Sequence, residues 1–259
     1  MSRLLIDKTK SILLKKIDLI PRFAIITGSG VKVFKEYTPI FEISYTKLPV
    51  WKKKLEIKGH ESMLKLYRIK DIPILVFSGR HHLYQGYDIP DVVSNIKLAY
   101  ELGIKKIIIT NAAGGIKKSF TTGSLMLITG FINLMQSTER GTLSSITQIP
   151  VKIKTPLTEL IEKKFKLTIE KGIYAANIGP TYETYSEIKL LQDLGASAIG
   201  MSTIPEMICT KSLNLDFAGI SIISNAWNPT HKPSHLDVLK AVTSANDKLN
   251  SLLHKIIDN

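Results

Sequence analysis

Hydrophobic positions in this chain fall into short, nearly continuous apolar runs, separated by stretches where they recur at helical spacing. Strands buried on both faces, alternating with amphipathic helices, produce that pattern. The clearest run is Lys106–Gly115, KIIITNAAGG. Ile107, Ile108, Ile109 and Thr110 predict a central strand of a parallel sheet, and Asn111, two alanines and Gly114-Gly115 predict its abrupt end. Ligands in open α/β sheets bind at the carboxyl ends of strands, so this turn is a candidate site floor. A tight turn that needs glycine only for its backbone angles accounts for the same residues.

Other elements follow in order. FAIIT (23–27) predicts a strand closing in Gly28-Ser29-Gly30, and the runs 64–69 and 73–77 predict a hairpin around Lys70-Asp71-Ile72-Pro73. From Pro90, the spacing of Val92, Val93, Ile96, Ala99, Tyr100 and Leu102 predicts a helix ended by Gly103, completing a strand–helix–strand unit. Ser124–Thr129, Gly172–Ala176 and Phe217–Ile223 predict further strands; Leu157–Leu167, Tyr185–Leu194, Ile204–Leu213 and the segment from His235 predict helices. Thr203 and Glu206 have the spacing of a capping box for the third of these. Residues 136–155 lack a period and are rich in Ser, Thr and Gln, which predicts a mobile loop or lid.

Length and composition narrow the class. At 259 residues and 44% apolar content the chain can bury a full core as one α/β domain. No apolar run approaches the roughly 18 to 20 residues of a membrane span, and MSRLLIDKTK lacks the apolar core of a secretory signal. The single cysteine, Cys209, excludes an internal disulfide and any multi-cysteine zinc site, and fits a reducing cytosol, so a cytoplasmic protein is expected. The net charge of +13 comes from lysines dispersed over many segments, without an arginine-rich tail or aromatic interleaving. It reads as solvated surface rather than a nucleic-acid site, while its field favours anionic substrates.

The candidate chemistry sits in the strand-end loops. Ser29 between two glycines offers a hydroxyl and approachable amides, suited to an oxyanion. After the strand 73–77, Arg80, His81, His82 and Tyr84 gather a fixed charge, two imidazoles and a phenol; the planar guanidinium of Arg80 suits a phosphate. Adjacent histidines on an extended segment point to opposite sides and no carboxylate–histidine cluster supports them, so no metal is expected. Tyr182 and Glu183 present a ring beside a carboxylate. Met201 and Ser202 read equally as core filler and turn residue.

Taken together, TGSG (27–30), GRHHLYQGY (79–87), TNAAGG (110–115), GPTYET (179–184), GMSTIPE (200–206), ISN (223–225) and SH (234–235) resemble the trimeric, low-mass purine nucleoside phosphorylases in order and spacing. The resemblance implies a three-layer α/β fold with a central mixed β-sheet flanked by helices, a homotrimer, and no cofactor beyond phosphate as co-substrate. It implies reversible transfer of ribose or deoxyribose from a purine to phosphate. Ser29, His60, Arg80, His82, the Ala112 amide and Ser202 match its phosphate positions; Tyr84, Tyr182, Met201 and His235 match its sugar contacts. Glu183 and Asn225 match its base contacts and, with His82, the residues nearest the chemistry. Asn225 is similar to the asparagine of members that prefer 6-oxopurines.

This sequence departs from the family at Gln85, where a glutamate is usual, at Ala226-Trp227, and in a shorter 136–155 segment. Two other readings stay open from sequence: a methylthioadenosine phosphorylase, disfavoured by Asn225 and His235, and a nucleoside-binding relic with weak turnover.

Overall fold

The computed structural model describes residues 3–51, 61–135, 150–227 and 235–259, the last segment with the side chain of His235 left aside. The described elements are α1 (Arg3–Leu14), β1 (Phe23–Thr27), β2 (Phe41–Ser44), β3 (Met63–Ile69), β4 (Ile72–Ser78), α2 (Ile89–Val92), α3 (Ser94–Glu101), β5 (Lys106–Gly115), β6 (Leu125–Asn133), β7 (Val151–Lys152), α4 (Pro156–Phe165), β8 (Glu170–Ala176), α5 (Tyr185–Asp193), β9 (Ala198–Gly200), α6 (Ile204–Ser212), β10 (Asp216–Ala226) and α7 (His235–Ile257).

One mixed sheet carries them. Its path runs β10-β6-β8-β9-β5-β1-β4-β3-β2, and an extra β10–β5 pairing closes the first five strands into a ring. β1 lies between β4 and β5, parallel to both. The apolar runs are buried on both faces because each face has its own helices. Ala24, Ile26, Ile107 and Ile109 enter one cluster with residues of α1, α3 and α6. Phe23, Ile25 and Ile108, the alternate positions, enter a second with α4 and α7. At about 1.5–3 kcal/mol per buried large aliphatic or aromatic side chain, these two layers supply the main favourable term.

The mixed α/β sheet flanked by helices is the predicted architecture, with several differences. The run after Thr110 is not a turn: NAAGG stays in β5, paired with β10 from Asn111–Ser221 onward and with β9 at Gly114 and Gly115. Small residues there serve close strand neighbours as well as a ligand surface; a Cβ on Gly115 would lie 2.8 Å from the Ile223 side chain. The hairpin forms, but its turn is only Lys70-Asp71, with φ of 48° and 63°, and Ile72 and Pro73 already belong to β4. The helix from Pro90 breaks at Val93 into α2 and α3. The proposed capping box is absent: the Thr203 side chain makes no cap hydrogen bond, and Glu206 turns into the core. Helix α1 and strand β2 were not foreseen. Of the expected lid, residues 136–149 lie outside the described residues, while Val151–Lys152 pair with β6.

Gly200, at the end of β9, tests how tightly this sheet is filled. A Cβ there would fall 2.3 Å from the Tyr174 hydroxyl, and that ring is fully buried. Gly200→Ala should destabilise the protein by about 1–3 kcal/mol, the usual cost of overpacking, and Tyr174→Phe in the same chain should recover part of it. Urea unfolding of both single variants and the double variant checks this; strictly additive losses would refute the contact.

Candidate active site

Three strand-end segments are held by buried polar side chains, two of them by side chains from elsewhere in the chain and the third by its own serine. After β1, the main chain of residues 30–34 runs beside α7, which reads it with two asparagines. Asn246 Oδ1 accepts from Lys32 N (3.1 Å) and its Nδ2 donates to Gly30 O (3.2 Å). One turn on, Asn250 Oδ1 accepts from Phe34 N (2.8 Å) and its Nδ2 donates to Lys32 O (3.1 Å). Backbone groups without a strand partner are thereby satisfied, which fixes the Gly28-Ser29-Gly30 loop. After β4, the carbonyl of Gly79 accepts from Tyr45 Oη (3.0 Å) and Asn95 Nδ2 (3.2 Å), setting the direction in which Arg80 leaves. In the short helical turn that follows, Gln85 Oε1 accepts from His82 N at 2.8 Å, and the His82 and Tyr84 rings stack with centroids 4.9 Å apart.

The third segment is the far end of β10. Its register against β5 shifts between Ile223 and Asn225, so Ser224 bulges out of the ladder. The Ser224 hydroxyl lies 3.2 Å from Ala113 O and 2.9 Å from Asn225 Oδ1. The hydroxyl has one proton for these two acceptors; given to Asn225 Oδ1, the shorter contact, it leaves Nδ2 as the donor. Asn225 pairs with Gly114, where a Cβ would lie 3.5 Å from Nδ2.

These segments surround one cavity of about 200 Å³. Ser29, His82, Tyr84, Ala112, Tyr182, Glu183, Met201, Ser202 and Asn225 all line it, so nine of the sequence-derived site residues converge. β5 serves as a ruler along its floor. Gly28 packs on Asn111 and Ala112, its Cβ position being 3.6 Å from Ala112 N. Asn225 stands beside Gly114, two residues or roughly 7 Å further on. Along β5 the Gly28-Ser29 loop and the Ala112 amide therefore mark one end, with Ser202 linked to it through Arg80 and Thr110, and the Asn225 amide marks the other.

Glu183 lines the same cavity. Burial pushes its carboxyl above the usual range, outweighing the lowering effect of its own backbone N–H and of Asn177. Asn177 Nδ2 donates to Glu183 Oε1 at 2.6 Å. Tyr182, beside it, remains 44% exposed at the rim, which leaves its hydroxyl in reach of solvent.

Arg80 does not line the cavity. Its Nη1 donates to Ser202 Oγ (3.3 Å), Thr203 Oγ1 (2.9 Å) and Glu206 Oε2 (3.0 Å). Its Nη2 donates to the carbonyls of Ile26 (3.2 Å) and Thr110, so the guanidinium ties the end of β1 and the middle of β5 to the start of α6. Thr203 takes φ of +74°, uncommon for a β-branched residue, and its hydroxyl accepts from Asn111 Nδ2 as well (2.9 Å). His60 lies outside the described residues; His235 begins α7, whose Val238 reaches the cavity. Among the described residues no group of three or more His, Cys, Asp or Glu is placed to hold a metal.

Several lining residues escaped sequence reasoning. Trp227 and Tyr185 form a tilted pair with centroids 5.7 Å apart at the base-contact end, joined there by Ile188. Trp227 had been legible only as a departure from the family pattern, and the role of Ser224 was hidden because a bulge leaves no mark in hydrophobic periodicity.

Comparison with known proteins gives the family and the fold. The family model described as "Phosphorylase superfamily" matches residues 22–258, and the chain belongs to that superfamily. Among curated proteins, purine nucleoside phosphorylase 1 of Bacillus subtilis is 31% identical over 85% of each chain, and that of Geobacillus stearothermophilus is 32% identical over 87% of this chain and 85% of its own. The rat enzyme is 29% identical over 92% and 89%. Within the superfamily this chain is thus a member of the purine nucleoside phosphorylase family, and an enzyme. The fold is also that of Schistosoma mansoni purine nucleoside phosphorylase solved with inosine, at TM-score 0.83 and 24% identity over 100% of this chain and 97% of that one.

The Glu183 carboxyl provides a test of the site electrostatics. Removing the Asn177 donor takes away a bond made to the ionised form, so Asn177→Ala should move the Glu183 titration to higher pH. Carboxyl-carbon NMR of the two proteins measures this, and an unchanged or lower midpoint would contradict the assignment.

Proposed function

We propose that the enzyme catalyses reversible phosphorolysis of purine ribonucleosides or deoxyribonucleosides, with 6-oxopurines such as inosine and guanosine preferred. The products are the free base and the sugar 1-phosphate. The observation that carries the reading is that one cavity holds both sets of groups: oxyanion donors at Ser29, His82, Ala112 and Ser202, and a carboxylate and an amide at Glu183 and Asn225, with Ala112 two β5 residues from Gly114, the neighbour of Asn225.

In this reading phosphate occupies the first end, held by the Ser29 and Ser202 hydroxyls, His82 and the Ala112 amide, with Arg80 acting from behind Ser202. His60 completes that end by resemblance. The sugar lies between, against Tyr84, Met201 and Tyr182, with His235 at its 5′-hydroxyl, again by resemblance. A phosphate oxygen bonds to C1′ as the bond from C1′ to N9 breaks, and the electron pair leaves with the purine. Asn225 Nδ2 donates to N7 as negative charge builds there, while Glu183 accepts the N1–H that a 6-oxopurine carries. Donors fixed in advance need no reorganisation during this charge transfer, so the protein lowers the barrier without a covalent nucleophile. Adenine carries no N1–H, which leaves the Glu183 carboxylate without its donor and accounts for the preference.

The relatives that match over most of this chain carry the name of this activity. A homotrimer in the cytoplasm is proposed on the family resemblance; no described helix is long and apolar enough to cross a membrane.

Phosphate-dependent release of hypoxanthine from inosine is the expected result in a substrate panel. Preference for methylthioadenosine, or binding without turnover, would contradict it. Asn225→Ala should lower kcat for inosine by about 100-fold, the usual loss of one charge-stabilising donor, with a smaller change in KM. Steady-state kinetics with inosine and saturating phosphate decide this, and unaltered kcat would remove Asn225 from the mechanism.

A further inference from the structure

The ion pair between Arg80 and Glu206 stands apart from the cavity wall. Both side chains are completely enclosed, with Nη1 and Oε2 3.0 Å apart. Yet neither is saturated: Arg80 Nε and Glu206 Oε1 have no hydrogen-bond partner among the described residues. Burial raises the Glu206 carboxyl even beside a guanidinium, as expected where desolvation rivals the attraction. The other groups bonded to Arg80 are the neutral hydroxyls of Ser202 and Thr203 and two carbonyls, so Glu206 is its counter-charge. Ser202 faces both ways, bonded to Arg80 and lining the cavity. The positive charge therefore lies one hydrogen bond behind the oxyanion end.

We propose that Glu206 is a positioning residue that sets the phosphate affinity of the site. Its carboxylate holds Arg80 back and cancels its charge, so an oxyanion at Ser202 competes with Glu206 for the guanidinium. The proposal rests on reading that end of the cavity as the phosphate site. Affinity is given up in exchange for a guanidinium that stays ordered in the empty enzyme, since an unpaired buried charge is strongly destabilising.

Glu206→Gln keeps the volume and one acceptor while removing the charge. Calorimetry with inorganic phosphate should show a Kd about tenfold lower than in the unaltered enzyme, because the guanidinium is then uncompensated and close to the anion. Phosphate should also raise the Tm of this variant by more than it raises that of the unaltered enzyme, and the KM for inosine should change less than about twofold. A purely structural Glu206 predicts lower stability with phosphate affinity equal or weaker, and that result overturns the proposal. No phosphate response in either protein overturns the phosphate reading itself, and the proposal with it. Should the variant fail to fold, the pair Arg80→Met and Glu206→Met replaces both charges with apolar side chains, a change that buried ion pairs often tolerate. There the two cancelling charges leave together, so the phosphate KM should change less than about threefold with the inosine KM retained, and a rise of about tenfold or more shows an Arg80 charge that Glu206 does not cancel and overturns the proposal.

Discussion

The parallel pairing of β5 with β10, carried past the point where the apolar residues of β5 end, is the constraint on which the site depends. Main-chain hydrogen bonds there do not need bulky side chains, so β5 can continue as Asn-Ala-Ala-Gly-Gly and present a smooth floor while the sheet holds it flat. The bulge at Ser224 then places Asn225 opposite Gly114. In the proposed reading, one strand thereby spaces the phosphate-binding residues from the Asn225 amide by two positions, roughly 7 Å.

At the oxyanion end buried polar side chains add to apolar packing, since Val31, Val33 and Phe34 join the core cluster that includes α7. Asn246 and Asn250, 0% and 7% exposed on an otherwise apolar helix face, hold the loop after β1 as a neighbouring strand would. Arg80 binds the end of β1, the middle of β5 and the start of α6 together. Such networks are costly unless satisfied, and here most partners are matched. Among the described residues, Arg80 Nε and Glu206 Oε1 are two of the buried atoms left without a partner.

The architecture was legible because periodicity and glycine placement report burial directly: FAIIT became β1 without change, and the two core faces follow from alternate positions of β1 and β5. The site was legible through its motifs, nine of whose residues meet in one cavity. What sequence hid were long-range polar contacts. The spacing of Thr203 and Glu206 is equally that of a helix cap and of two partners of one arginine, and only the fold decides that Arg80, 126 positions from Glu206 by chain, is the partner. Likewise, residues too small for a strand on propensity alone stay in β5 because β9 and β10 flank them, a tertiary effect invisible to local pattern.

A structure of the enzyme with phosphate and hypoxanthine bound together addresses the division of the cavity most directly. The account predicts phosphate oxygens within hydrogen-bond distance of Ser202 Oγ and the Ala112 amide, and purine N7 within the same reach of Asn225 Nδ2. Phosphate and base lodged in separate hollows, or a base turned so that N7 faces away from Asn225, would contradict it.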